Sequence, residues 1–163
     1  DAETFVHSID APIITAGTGY PDLDPSPGRL NGLLFQLFMR GPKSVEPARV
    51  DHELFDGQKL PIAGGMEVIH APGHRAGQVA FHWPRYGGVL FAADACMNTL
   101  GLSLSLGHED ITIAERSLRH LSELNFQTAV FGHGRPILKD AATRFRKKWP
   151  AGFASKVPTA WAG

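Results

Sequence analysis

The sequence predicts an α/β layered domain, and three observations predict it. From residue 50 onward, short apolar runs that read as strands are separated by turn signals built on Gly and Pro. Two stretches, 112–124 and 138–149, carry helical periodicity and follow those strands closely enough to cover them. A chain of 163 residues, 43% hydrophobic, holds enough apolar material for one core. No internal repeat, heptad pattern or low-complexity tract points to a solenoid or coiled coil.

Taken in order, Thr4-Phe5-Val6 reads as a strand close to the start. Residues 17–32 hold four Gly and three Pro and read as a long surface loop. Leu33 to Met39 fits a buried strand and a helical turn equally well, with an end at Gly41-Pro42. Val50 to Phe55 reads as a strand closed by Asp56-Gly57, and Met66 to His70 as a strand running into Pro72-Gly73. Gln78 to Trp83 alternates, with Val79, Phe81 and Trp83 on one face and His82 on the other. After a turn at 84–88, Val89 to Ala93 is apolar throughout, as suits a strand covered on both faces. In the helix at 112–124, Thr112 and Glu115 have capping-box spacing, Ala114, Leu118 and Leu121 form one stripe, and Glu115 faces Arg119. Thr128 to Phe131 is another short buried strand. Residues 138–149 form a basic amphipathic helix with Phe145 and Trp149 four apart, and the tail at 151–163 is expected to fray.

Composition excludes several functions. Sixteen basic and sixteen acidic side chains balance, and a pI near 7.3 speaks against nucleic acid or an anionic membrane as the partner. One Cys excludes an internal disulfide framework and a CxxC zinc site. With no apolar run of spanning length and no signal-peptide pattern, the chain reads as cytoplasmic. Because it starts at Asp1, almost directly on a strand, it is expected to be a piece of a longer polypeptide.

Three polar residues stand where apolar strands stop. His74 follows the strand at 66–70 through Ala-Pro-Gly, Asp94 ends the run at 89–93, and His133 ends the run at 128–131 between two glycines. A side chain at a strand end is aimed by a rigid sheet yet stays reachable, and imidazole and carboxylate are both zinc-ligand types. Gly73, Gly77, Gly132 and Gly134 flank the two histidines and allow close backbone approach. The remaining candidates carry less. His70 precedes His74 by four, but Pro72-Gly73 breaks the helix that a zinc pair at that spacing needs. His108 could reach the rim as a substrate contact, His82 suits a surface or inter-sheet polar role, and His120 is expected in solvent. His7 and His52 are uninformative. Cys96 reads as a small buried residue rather than a nucleophile, and no Gly-x-Ser-x-Gly occurs. Arg75 and Arg135, beside His74 and His133, are candidates to orient an anionic substrate.

The segments Ala71-Pro72-Gly73-His74-Arg75-Ala76-Gly77-Gln78-Val79-Ala80-Phe81, Gly88-Val89-Leu90-Phe91-Ala92-Ala93-Asp94 and Val130-Phe131-Gly132-His133-Gly134 together resemble the second half of metallo-β-lactamase-fold hydrolases, especially the glyoxalase II-like branch. The resemblance covers residues 50–150 and extends to 1–15, where Phe5-Val6-His7 is similar to the strand beside the family's middle helix. It implies a partial αββα sandwich, mostly the second sheet and its helices, over residues 1–150. It also implies that His74 completes the first metal's histidine set, that Asp94 bridges two metals, and that His133 binds the second. Zinc is the usual ion, with iron or manganese in some branches. The implied activity is hydrolysis of a small thioester, ester, lactone or phosphoester. The family's His-x-His-x-Asp-His motif is absent: no His-x-His occurs in these residues, and Asp51-His52 lies in the wrong place to replace it.

Three expectations follow from that departure. The chain on its own is inactive, and a missing N-terminal half or a second copy covers the sheet that it leaves open. A non-catalytic truncated relative serving binding or assembly is the alternative from another class. An iron-dependent sulfur oxygenase on the same scaffold is the third.

Overall fold

The computed structural model describes residues 2–38, 44 and 46–151. In chain order the elements are β1 (Phe5–His7), α1 (Ala11–Ala16), β2 (Asp24–Pro25), α2 (Arg29–Phe38), β3 (His52–Leu54), β4 (Lys59–Leu60), β5 (Met66–His70), β6 (Val79–Trp83), β7 (Val89–Phe91), β8 (Cys96–Asn98), β9 (Leu102–Leu104), β10 (Gly107–His108), α3 (Ile111–Glu123), β11 (Thr128–Val130) and α4 (Ala141–Lys148). The principal sheet has five strands in the order β11-β7-β6-β5-β4, in which only the β11–β7 pair is parallel. Three two-stranded pairs, β1–β3, β10–β2 and β8–β9, surround it.

Period-two alternation divides the sheet's side chains between two faces. Ile69, Ala80, Leu90 and Ala129 lie on one of them, in a buried cluster with Leu118 and Leu121 of α3 and Ala141 and Phe145 of α4. Inside it the Phe145 ring meets Phe126 edge-on at 5.2 Å and Trp149 at 5.4 Å, the second contact arising from their four-residue helical spacing. The other face is closed at one end only. There Leu54, Leu60 and Val68 form a small cluster against which Phe5, Val79 and Phe81 pack. Val89, Phe91 and Val130, on the same face towards β11, are no more than half-buried. The expectation that the strand at 89–93 is covered on both faces therefore holds for its helix side alone.

Local chemistry shifted several boundaries. The stretch from Leu33 is helix, because Leu30, Leu33, Leu34 and Leu37 recur at helical spacing after the Pro27-Gly28 break. The loop expected over 17–32 thus ends at Arg29 and is interrupted by β2. The helix expected at 112–124 starts one residue earlier, and its cap is Asp110, whose Oδ1 accepts from Ile113 N at 2.9 Å. Thr112 lies inside the first turn and is no cap, while the Glu115–Arg119 pair forms at 3.3 Å. The helix expected from 138 begins at Ala141, because Ile137 is still held in a bridge to Ala129. The expected end at Gly41-Pro42, residue Asp1 and the tail beyond Ala151 lie outside the described residues. Among the described residues no helix is long and apolar enough to cross a membrane.

The two faces should differ in their tolerance of truncation. Phe145→Ala is expected to lower the unfolding free energy by about 3–5 kcal/mol, as a large buried ring does, and Phe91→Ala by clearly less. Urea unfolding of both variants checks the order; equal losses would show that the outer face is sealed as tightly as the inner one.

Candidate functional site

Sheet order brings the three expected residues to one edge. β5 and β7 are both antiparallel to β6, and β11 is parallel to β7, so β5, β7 and β11 run the same way and their C-terminal ends open on one rim. His74 follows β5, Asp94 follows β7 and His133 follows β11. All three line a cavity of about 470 Å³, with Met97, Thr99, Leu106 and Gly107 among its other walls.

The turn that presents His74 rests on Gly73, whose φ of 126° and contact with α3 both require glycine: a Cβ there would lie 2.3 Å from backbone atoms of Ala114. Nδ1 of His74 lies 2.8 Å from the carbonyl oxygen of Gly107. An acceptor of that kind keeps the proton on Nδ1 and leaves the Nε2 lone pair free. Burial lowers the His74 pKa, against the Gly107 hydrogen bond and the nearby Asp94, which raise it. The ring is thus neutral at pH 7 and able to donate to a metal.

Asp94 sits in a 3-10 turn, Ala93–Ala95, entered through Ala93 in the left-handed region at φ 45°. Gly132 N donates to Ala93 O at 2.9 Å and Ser105 Oγ to Asp94 O at 2.6 Å, which pins this strained turn between two neighbouring segments. A Cβ on Gly132 would come within 2.1 Å of Asp94 Oδ1, so the missing side chain is what makes room for the carboxylate. That Oδ1 is buried and has no hydrogen-bond partner. Its nearest cationic candidate is Nε2 of His133 at 3.7 Å, on a side chain 72% exposed.

Of the other residues, Cys96 is buried as read, while Arg75, Arg135 and His108 fall differently from their sequence reading. Arg75 is no free anion anchor. Its Nη1 donates to Pro21 O at 2.6 Å and Glu109 Oε1 at 2.9 Å, and its guanidinium lies 4.8 Å from the Tyr20 ring centre. Arg135 is exposed and does not line the cavity. His108 is buried rather than at the rim; it meets the His74 ring edge-on at 6.0 Å, and neither of its nitrogens makes a hydrogen bond of ordinary geometry. Cys96 is fully buried, and burial with the nearby Asp94 pushes its thiol pKa far up, which rules out a thiolate nucleophile. His82 ties the sheet to the α3–β11 connection through Asn125 O at 3.0 Å, and His120 lies 3.6 Å from Glu123.

His70 is not a ligand but a buried structural residue, bonded to Ala76 O at 2.8 Å and stacked on His7 at 4.1 Å. The role of His7 could not be read from spacing, since its stacking partner is distant in sequence. Ser105 and Glu109 were missed for the same reason. Only the Glu109-Asp110 pair just before a helix was visible, and it signals no more than an N-terminus.

Whether these residues fit a metal can be judged from the donors. Around a tetrahedral zinc, ligands at about 2.0–2.1 Å stand roughly 3.4 Å apart, close to the Asp94–His133 separation of 3.7 Å. A buried carboxylate oxygen without a partner is costly unless something binds it, and His74 offers a free Nε2 in the same cavity. The residues therefore fit a metal in kind. In number they fall short, for among the described residues no group of three His, Cys, Asp or Glu gathers round a single point.

No protein-family model and no curated protein sequence matches the chain. Solved structures do. A metallo-β-lactamase family protein from Thermus thermophilus superposes with a TM-score of 0.58 at 26% identity, covering 90% of this chain and 51% of its own. The B3 metallo-β-lactamase BLEG-1 gives 0.59 at 21% identity, with 90% and 63% covered. A metallo-β-lactamase superfamily protein from the archaeon Sulfolobus tokodaii gives 0.58 at 17%, with 91% and 57% covered. The chain has the metallo-β-lactamase fold in part, and it spans roughly half to just under two thirds of the structures that it matches.

Gly132→Ala is expected to push the Asp94 carboxylate aside while leaving the fold intact, and to weaken Zn²⁺ binding by tenfold or more; calorimetric titration of folded variant and parent checks this, and equal affinities would refute it. A second expectation concerns pH. Burial, aided by His70 and opposed by Asp56, lowers the His7 pKa from 6.5 to about 4. A histidine with a depressed native pKa contributes stability that is present above the unfolded pKa and is lost as pH falls towards the native one. The urea midpoint should therefore fall between pH 6.5 and about 4, and His7→Gln should flatten that stretch of the profile. An unchanged profile in the variant would remove His7 as the cause.

Proposed function

We propose that this chain is the C-terminal half of a metal-dependent hydrolase of the metallo-β-lactamase superfamily, in its glyoxalase II-like branch, with zinc as the metal and the cytoplasm as its compartment. The observation that carries the reading is the buried, unpartnered Oδ1 of Asp94 beside Nε2 of His133, on the rim that His74 also reaches. Asp94, His133 and His74 would hold metal together with ligands from outside these residues, Asp94 being the one shared between two ions. When bound there, zinc supplies Lewis acidity, bringing the pKa of a coordinated water to about 7 and polarising a substrate carbonyl.

The chain's own residues contribute position and environment. Gly107 O holds the Nδ1 proton of His74, and Ser105 and Gly132 fix the turn that carries Asp94. Met97 and Leu106 give the cavity an apolar wall, and among the described residues neither Lys nor Arg lines it. With Arg75 engaged elsewhere, this lining supports a thioester, ester or lactone over a phosphoester, whose charge would find no cationic side chain here.

The half-buried Val89, Phe91 and Val130 support a further part of the reading: the missing N-terminal half, or failing that a second copy, covers the outer face. A second reading, a non-catalytic relative used for binding or assembly, is favoured by one specific observation, the absence of any His-x-His from these 163 residues. Intact mass and N-terminal sequencing set beside the encoding reading frame separate the two, because a frame without an upstream His-x-His-x-Asp-His leaves hydrolysis short of ligands.

For the metal itself, Zn²⁺ titration of the chain by calorimetry should show one binding process that His133→Ala and Asp94→Asn each weaken at least tenfold. Binding that survives both substitutions, or none in the parent, would sink the assignment.

A further inference from the structure

The loop at 73–77 that carries His74 is gripped by two carboxylates from distant parts of the chain. On one side Asp10 Oδ1 accepts from Gly77 N at 3.1 Å. On the other, Glu109 spends its two oxygens separately: Oε1 accepts from Arg75 Nη1 and Oε2 from Ala76 N, both at 2.9 Å. Neither bond is a surface ion pair of small consequence, since the Glu109 side chain is only 14% exposed and one of its two partners is a backbone amide. Main-chain bonds complete the grip, Glu109 N to His74 O at 3.3 Å and Asp110 N to Gly73 O at 3.0 Å. The same short segment contributes Gly107 O, the acceptor of His74 Nδ1.

We infer that Glu109 is the positioning residue of His74: by pinning residues 75 and 76 against the 107–110 segment, it holds the imidazole on Gly107 O in one tautomer, with Nε2 left free. The inference rests on the reading of His74 as a metal ligand. Its geometric basis is that residues 75 and 76 follow His74 directly. The outer ends of the loop, Gly73 and Gly77, have anchors of their own in Asp110 N and Asp10. Loss of the Glu109 carboxylate should therefore leave the loop tethered, with Glu109 N still on His74 O, but release residues 75 and 76, and their shift draws Nδ1 away from Gly107 O. Arg75 belongs to the same device: packed over Tyr20 and bonded to Pro21 O, it ties Glu109 to the segment before α2. Groups that orient a metal-binding histidine through its second nitrogen commonly set metal affinity by 10–100-fold.

The test is carried out on the whole chain, with two readouts. Imidazole ¹⁵N NMR of the metal-free protein reports the His74 tautomer, and calorimetry reports Zn²⁺ affinity. Glu109→Gln keeps an acceptor for Ala76 N but turns an amide donor towards Arg75. It is expected to keep the circular dichroism spectrum of the parent, to give mixed His74 tautomers, and to bind Zn²⁺ about 10–100-fold more weakly. Glu109→Asp, which keeps the charge on a shorter stem, should fall between the two and serves as the working variant if the glutamine chain does not fold. Asp10→Asn, which weakens the bond to Gly77 N but leaves both Glu109 bonds in place, should leave the tautomer single.

Wild-type tautomer and affinity in both Glu109 variants would overturn the inference. So would weakened binding with a single, unchanged tautomer, which would make Glu109 a general support of the fold. Failure of the ligand reading looks different: the parent chain then binds no Zn²⁺, or His74→Ala binds it as tightly, while the tautomer still decides whether Glu109 orients the ring.

Discussion

A five-stranded sheet offers apolar side chains on both faces, and among the described residues the helices α3 and α4 pack on one of them. α3 and α4 close the inner face around Phe145, Leu118 and Leu121, where Leu90, Ala80 and Ala129 are fully buried. Burying apolar area at roughly 25 cal/mol per Å² makes that closure the main source of stability, and it holds the strands rigidly enough for their ends to serve as fixed mounts. On the outer face, among the described residues, the β1–β3 pair contributes Leu54 to a cluster with the sheet's own Leu60 and Val68. One face thus supplies the stiffness on which the rim depends, and the other leaves Val89, Phe91 and Val130 half-buried.

The rim inherits its precision from this arrangement. His74, Asp94 and His133 are far apart in sequence, yet strand direction alone sends all three to the same edge, and each is fixed locally by backbone partners rather than by packing. The parts of the site differ in exposure for a physical reason. His74 lies against the 107–110 segment, bonded to it and half-buried, whereas His133 follows the end strand of the sheet with its side chain exposed among the described residues.

Much of this was legible in the residues themselves. The strand expected at 78–83 from alternation and those expected at 66–70 and 128–131 from short runs closed by turn residues formed at 79–83, 66–70 and 128–130, the stripe of Ala114, Leu118 and Leu121 followed from helical periodicity, and the three rim residues followed from their place after apolar runs. What could not be read was decided by contacts between distant residues. Asp110 displaced Thr112 as cap, Ile137 was drawn into a bridge with Ala129, and Arg75 was drawn off by Glu109 and Pro21. His7 looked uninformative and His70 was set aside as a ligand without a role being found for it, because a stacked pair so distant in sequence leaves no local pattern. Leu33 to Met39 was ambiguous on its own, and its described part is helix in continuity with Arg29 to Gly32.

Cys96, buried beneath the turn of Asp94, has one more consequence. It is the only cysteine in the sequence, and its thiol is held protonated and away from solvent. Alkylating and spin-labelling reagents react with accessible thiolate, so the native fold is silent towards them. A cysteine introduced at exposed Leu33 or Leu100 would then be the sole reactive position, and its labelling would map the outer surface without background, while modification of Cys96 itself would clock the opening of the core.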